Sequence, residues 1–151
     1  MGFHIAKIEK GVYGEWSKVE EEIEEIIDAL SQNIKPMLLI ELCDCLGAVK
    51  AYYNLTTPES QYSELLFKLS VTTNKYSQYG SLDVVTERFI QDLRINKNMA
   101  SSINVTKSIL DFVQIYFNES ITFIDLMRFA TKIGQVKEEE ARYETGNQNA
   151  N

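Results

Sequence analysis

Residues 36–54 form a segment that is apolar almost all the way round a helix. The segment reads PMLLIELCDCLGAVKAYYN, and aliphatic, cysteine and small side chains fall on nearly every side of a 3.6-residue period. Such a helix is typical of the middle of a bundle, where other helices cover it. Glu41 and Asp44 are the only acids in it. We expect both to be buried on one face, because residues three apart are neighbours on a helix.

The preceding segment, from about Gly14 to Gln32, predicts an amphipathic helix with a capping box of Ser17 and Glu20 near its start. Its apolar side chains recur at helical spacing, and the opposite face is acidic. A face of this kind is most often simply solvated. The break at 33–36, with Pro36 in the first turn of the next helix, favours antiparallel packing. The acids of this face are Glu21, Glu22, Glu25 and Asp28.

The remainder of the chain also predicts helices, and we find no strong strand pattern beyond the first dozen residues. We therefore expect one all-α domain over residues 1–137, a bundle of about six helices, followed by a polar, frayed tail over 138–151. Ser81 is a candidate N-cap and 96–102 a loop. The four further helices are expected at about Gln61–Gln78, Leu82–Ile95, Val105–Phe117 and Thr122–Val136.

Charge and composition exclude several classes of protein. The net charge is −7 and the isoelectric point near 4.8, without the basic face of a general nucleic-acid binder. No signal peptide or membrane-spanning run is present, so we expect a cytoplasmic protein. Cys43 and Cys45 point about 200° apart on a helix and cannot pair. His4, the only histidine, we interpret as a surface or packing residue.

The acids of the two helices form a spaced pattern. Glu22 and Glu25 make E-x-x-E, fifteen residues follow, and Glu41 and Asp44 make E-x-x-D. Antiparallel packing would bring these two pairs within reach of each other. Four carboxylates with open coordination positions suit Mg²⁺, which retains waters and binds substrate phosphates. The pattern therefore indicates hydrolysis of a phosphoanhydride.

These motifs resemble those of the MazG-like, all-α nucleoside triphosphate pyrophosphohydrolases. VEEEIEEIIDAL is similar to the E-E-x-x-E-x-x-D/E-A run of that family, and IELCDCLGAVKAYY to its E-L-x-D-x-x-G-A run. The lead-in KIEKGVYGEWSKVEEE looks most like small members encoded by phages. SITFIDLMRFATKI resembles the helix that closes those small members. Here residues 55–113 lie between, and we interpret them as an inserted helical segment.

The resemblance implies conversion of an NTP, dNTP or related nucleotide to the monophosphate and pyrophosphate. It also implies a homo-oligomer, a dimer or tetramer, with no nucleic-acid or membrane partner. Mg²⁺, for which Mn²⁺ could substitute, would be held by Glu22, Glu25, Glu41 and Asp44. Either Glu21 or Glu22 would orient the attacking water. Asp28 and the lysines Lys10, Lys50, Lys75 and Lys132 are candidates for substrate binding.

Two other functions stay open on the sequence alone. A MazG-like protein with weak or no catalysis could bind or sequester a nucleotide or a host protein, in a regulatory or anti-defence role for a phage. The chain could also be a structural helical bundle whose acids are a solvated face. Binding without hydrolysis would favour the first of these, and a melting temperature insensitive to Mg²⁺ would favour the second.

Overall fold

A computed structural model describes residues 4–54 and 72–117, together with the single positions 64, 68, 69, 125 and 128. These residues contain no strand, and for this part of the chain the predicted all-α class is confirmed. Four helices are complete in this part of the chain, fewer than the six expected. They are α1 (Trp16–Gln32), α2 (Lys35–Asn54), α3 (Leu82–Met99) and α4 (Ser102–Tyr116).

The first two helices form an antiparallel hairpin. Asn33 closes α1 in the left-handed conformation, with φ of 57°, and its N–H donates to the carbonyls of Ala29 and Leu30. Asparagine adopts this conformation more readily than most residues. Trp16, at the start of α1, makes an edge-to-face contact with Tyr52, near the end of α2, at 5.1 Å between ring centroids. The E-x-x-E and E-x-x-D pairs therefore lie on facing helices.

Helices α3 and α4 form a second hairpin that packs on the first and completes one core. The rings of Phe89 and Phe112 stack at 3.9 Å with an angle of 7° between their planes. The Trp16 indole N–H donates to the Lys97 carbonyl at 2.9 Å, which ties α1 to the end of α3.

Helix α2 packs against α1 and α4, and many of its apolar side chains are buried, as its sequence predicted. Seven of its side chains are almost completely buried, and both cysteines are among them and unpaired. Burial raises the pKa of Cys43 to about 12 and also raises that of Cys45, so both thiols stay protonated at neutral pH. The buried side chains are Leu38, Leu42, Cys43, Cys45, Leu46, Ala48 and Val49.

Several predicted helix ends are wrong. Glu15, without a side-chain hydrogen bond, occupies the N-cap of α1, and the Ser17 hydroxyl accepts from Val12 N instead of forming a capping box. Helix α3 continues four residues beyond Ile95 to Met99, so most of the predicted loop at 96–102 is helical. Its length follows from tertiary packing, because Asn96 is buried. Helix α4 begins at Ser102 and ends at Tyr116.

The helix predicted over 61–78 is wrong in its last part, since residues 72–78 form turns. The Asn74 side chain accepts from Tyr76 N and donates to the Asp111 carbonyl, which stabilises a turn against α4. The predicted N-cap at Ser81 is confirmed by its hydrogen bond from Val84 N.

The other predictions on the second half of the chain concern positions that the structure does not describe. They are the sixth helix over 122–136, apart from the helical backbone at Asp125 and Arg128, and the tail over 138–151. No described helix combines the length and the apolar character needed to span a bilayer.

Candidate metal centre

Residues 4–12, the N-terminal segment, lie along the acidic face of α1. The backbone N–H groups of Ile5 and Ala6 donate to the Asp28 carboxylate, each at 3.1 Å. At the other end, Gly11 N donates to Glu21 Oε1 at 2.7 Å. A Cβ at Gly11 would lie 2.1 Å from the Ser17 carbonyl oxygen, so no other residue fits there without movement. The segment is therefore attached to α1 at two points.

Beneath this segment, the acids of α1 and α2 meet. Glu22, Glu41 and Asp44 each offer a carboxylate oxygen, and these oxygens lie within 4.8 Å of one another. We call this group the carboxylate position. Glu21, Glu22 and Glu25 form a similar group on α1 alone. Glu22 and Glu41 are only 3% and 5% exposed, whereas Asp44 is half-buried. Both acids of α2 were predicted to be buried on one face. Glu41 is buried as predicted, whereas Asp44 is buried only in part.

The proximity of these carboxylates raises the pKa values of two of them. Burial, the hydrogen bond with Glu25 and repulsion from Glu25 and Asp44 raise the pKa of Glu22 to about 8. Burial also raises the pKa of Glu25, to about 7, and the Glu41 carboxylate contributes to that shift. Repulsion between these carboxylates favours their protonated forms, and a cation among them would lower the free energy of the ionised site.

Lys18 compensates one side of the cluster. Its Nζ lies 2.8 Å from Glu21 Oε2 and 3.3 Å from Glu22 Oε1. Burial alone would raise the pKa of Glu21, but the hydrogen bonds from Lys18 and Gly11 N outweigh it and the pKa is lowered. Glu21 is thus ionised, with both oxygens accepting hydrogen bonds. Lys18 was not among the predicted site residues.

His4 is the second residue that the sequence interpretation missed. Its side chain is 12% exposed, and Nδ1 lies 2.9 Å from Asp28 Oδ2. Its Nε2 lies 3.2 Å from Glu41 Oε1 and 3.9 Å from Glu25 Oε2. We call His4, Glu25 and Glu41 the imidazole position, since one ligand atom of each lies within 4.8 Å of the others. No motif spacing connects His4 with these acids, so the sequence carried no signal for it.

Asp28 holds His4 and the N-terminal segment. Besides His4, Ile5 N and Ala6 N, its carboxylate accepts from Gln32 Nε2 at 2.9 Å. Burial opposes ionisation, but these hydrogen bonds together lower the pKa of Asp28. Four donors occupy this carboxylate, so its geometry suits a positioning residue better than the substrate contact we expected.

The predicted lysines do not gather at the cluster as a group. Lys10 is exposed at the end of the N-terminal segment, and its charge helps to lower the pKa of Glu21. Lys50 is half-buried on α2, six residues after Asp44. Lys75 contacts α3 and α4 instead, with Nζ 2.6 Å from Ser108 Oγ and 3.4 Å from Asp92 Oδ2. Lys132 lies outside the described residues.

The donor set fits a hard divalent cation. Glu22 Oε2 is buried and has no hydrogen-bond partner among the described residues, although a buried carboxylate oxygen is costly to leave unsatisfied. Carboxylate oxygens are the ligands that Mg²⁺ and Mn²⁺ prefer in proteins. The residues at the carboxylate position therefore suit the ion that the sequence pattern indicated.

Comparison of the chain with protein-family models, with curated proteins and with solved structures gives no match. The function is accordingly inferred from the geometry and the residues of this site.

Proposed function

We propose that the chain is a Mg²⁺-dependent, MazG-like nucleotide pyrophosphohydrolase acting on an NTP, a dNTP or a related nucleotide. The observation that carries this proposal is the meeting of Glu22 with Glu41 and Asp44 across two buried helices. A buried group of acids is destabilising in a merely structural bundle. It becomes useful when the acids hold a cation that binds a polyphosphate.

In this proposal, water adds to a phosphorus of the α–β phosphoanhydride, and that bond breaks to give the monophosphate and pyrophosphate. A bound divalent cation supplies charge neutralisation on the phosphates and a more acidic water. Glu22, Glu41 and Asp44 hold the cation, and Glu25 lies beside them. Glu21, kept ionised by Lys18 and Gly11 N, accepts a hydrogen bond from the attacking water in the geometry we propose.

The proposal extends to the assembly and the compartment. The resemblance to small phage-encoded MazG-like proteins implies a homo-oligomer acting on free nucleotides in the cytoplasm of the host. Light scattering on the purified chain tests this part separately, with a dimer or tetramer expected and a monomer contradicting it.

A pyrophosphate-release screen over natural and modified nucleotides, with Mg²⁺ or Mn²⁺, tests the activity. We expect turnover of at least one nucleotide, loss of it with chelator, and a fall of about 100-fold or more in Glu41→Gln and Asp44→Asn. Glu24→Gln is the matched control, because Glu24 lies on α1 outside the cluster and pairs with Lys97 at 2.9 Å. Absence of turnover across the panel would overturn the proposal, as would full activity in Glu41→Gln.

A second candidate, nucleotide binding without turnover, is favoured by the Lys18 contacts. This ammonium already compensates Glu21 and Glu22 in part, so the cluster could persist as a binding surface without an ion. Titration with a non-hydrolysable nucleotide, in chelator and with Glu41→Gln, separates the two candidates. Undiminished, metal-independent binding together with absent turnover would favour sequestration.

A further inference from the structure

We infer that the imidazole position of His4, Glu25 and Glu41 is a second metal position that takes a first-row transition dication, such as Mn²⁺, in preference to Mg²⁺. The inference rests on the proposed function, since Glu41 would be shared with the cation at the carboxylate position. It adds a nitrogen ligand from the N-terminal segment, which the acid motifs do not contain.

Asp28 sets the orientation of the His4 imidazole. Asp28 is held ionised by its four donors, and an ionised carboxylate only accepts hydrogen bonds. The contact of 2.9 Å therefore places a proton on His4 Nδ1. In the neutral ring, the lone pair on Nε2 then faces Glu25 and Glu41. In many metal sites a carboxylate accepts a hydrogen bond from one ring nitrogen of a histidine, and the other nitrogen binds the metal. The carboxylate then sets the tautomer and the ring orientation.

The ligand atoms of His4, Glu25 and Glu41 have a spacing that suits one ion. With metal–ligand bonds of about 2.1 Å, neighbouring ligands of an octahedral ion lie about 3.0 Å apart and opposite ligands about 4.2 Å apart. Nε2 lies 3.2 Å from Glu41 Oε1 and 3.9 Å from Glu25 Oε2. Both distances fall within the range that one ion spans.

The donor types favour a transition dication. A proton on Nε2 would instead make a hydrogen bond to Glu41 Oε1 at 3.2 Å, and Mn²⁺ bound without a nitrogen ligand would indicate that arrangement. Glu22 Oε2, in the adjoining carboxylate position, is buried and has no hydrogen-bond partner among the described residues, and a bound cation would satisfy it. Imidazole nitrogen raises affinity for transition dications, whereas Mg²⁺ favours oxygen. The nitrogen ligand thus determines which class of ion binds.

Pulsed electron paramagnetic resonance on the Mn²⁺-loaded, untagged chain tests the inference directly. His4 is the only histidine, so imidazole ¹⁴N modulation of the Mn²⁺ signal can come only from this residue. We expect the modulation in the wild type and in Lys7→Gln, an exposed control on the same segment. It should vanish in His4→Gln. Mn²⁺ bound without ¹⁴N modulation would overturn the inference and leave the carboxylate position standing, whereas no bound Mn²⁺ or Mg²⁺ would overturn both.

Metal titration gives a second readout that is independent of activity. His4→Gln should weaken Mn²⁺ binding by about 10-fold or more and Mg²⁺ binding by much less, which lowers the selectivity between the two ions. Asp28→Asn should weaken Mn²⁺ binding about 10-fold while the ¹⁴N modulation persists, since His4 is still present. Circular dichroism confirms that each variant is folded. An unchanged ratio of Mn²⁺ to Mg²⁺ affinity in folded His4→Gln would contradict the inference.

Discussion

Replacing Glu22 by glutamine is expected to stabilise the metal-free protein at alkaline pH and to remove the stabilisation that a bound cation provides. The pKa of Glu22 rises from its ordinary value of 4.5 to about 8. A tenfold change in proton affinity corresponds to about 1.4 kcal/mol, so ionised Glu22 opposes folding by up to about 5 kcal/mol. The attraction of Lys18 for ionised Glu22 is already included in this pKa, so we expect Glu22→Gln to gain about 4 kcal/mol at alkaline pH.

The pH dependence has a defined sign. In the unfolded chain Glu22 ionises near 4.5, but in the folded chain it retains its proton until about pH 8. Its contribution to the free energy of unfolding is therefore present below about pH 4.5 and is lost as the pH rises towards 8. Wild type and Glu22→Gln should be within ~1 kcal/mol of each other near pH 5 and should differ by ~4 kcal/mol near pH 8.5. Glu21 and Asp28, whose pKa values are lowered, act in the opposite direction but equally in both proteins.

Urea denaturation followed by circular dichroism measures this difference, in chelator and in millimolar Mg²⁺. Saturating metal should stabilise the wild type by about 2–3 kcal/mol when its concentration is a hundredfold above Kd, and Glu22→Gln much less. Glu24→Gln, at a half-buried neighbour on α1 outside the cluster, should behave as the wild type to within ~1 kcal/mol. A metal-free Glu22→Gln protein less stable than wild type near pH 8.5 would refute the reasoning.

Three further predictions concern the scaffold, each measured as a free energy of unfolding. Gly11→Ala should destabilise the protein by about 2 kcal/mol, because its Cβ would meet the Ser17 carbonyl. At Gly47 a Cβ has open space among the described residues, so Gly47→Ala should stabilise α2 by up to ~1 kcal/mol. Equal effects of the two substitutions would contradict this. Phe89→Ala should cost about 3–5 kcal/mol, since its ring is fully buried, and a loss under about 1 kcal/mol would argue against the core described. Ser81→Ala should cost ~1 kcal/mol through the lost N-cap hydrogen bond, and an unchanged melting temperature would speak against that cap.

Much of the first hairpin could be predicted from the sequence. The limits of α1 and α2 lie within about two residues of the predicted ones, because apolar periodicity, an asparagine in the turn and Pro36 are local signals. The same periodicity placed Glu22 and Glu25 on one face and Glu41 and Asp44 on another. Since only two residues join the helices, antiparallel packing was the simplest arrangement.

Elements that depend on distant contacts were predicted less well. Residues 96–99 read as a loop because asparagine and lysine are common in loops. In the structure they are helical, with Asn96 buried and the Lys97 carbonyl accepting from Trp16. The polar turn at 72–78 read as the end of a helix, although Asn74 binds α4 through Asp111. Neither contact leaves a periodic pattern in its own segment.

The sequence by itself determined that two helices form and which of their faces carry the acids, because helical periodicity acts over a few residues. Only the tertiary structure decided which acids are buried together, which are compensated by Lys18 and which face His4. His4 is 24 residues from Asp28 and 37 from Glu41 along the chain, and the N-terminal segment has no regular pattern of its own. Its position depends on backbone hydrogen bonds to Glu21 and Asp28, and such contacts exist only once the helix that presents these carboxylates has formed.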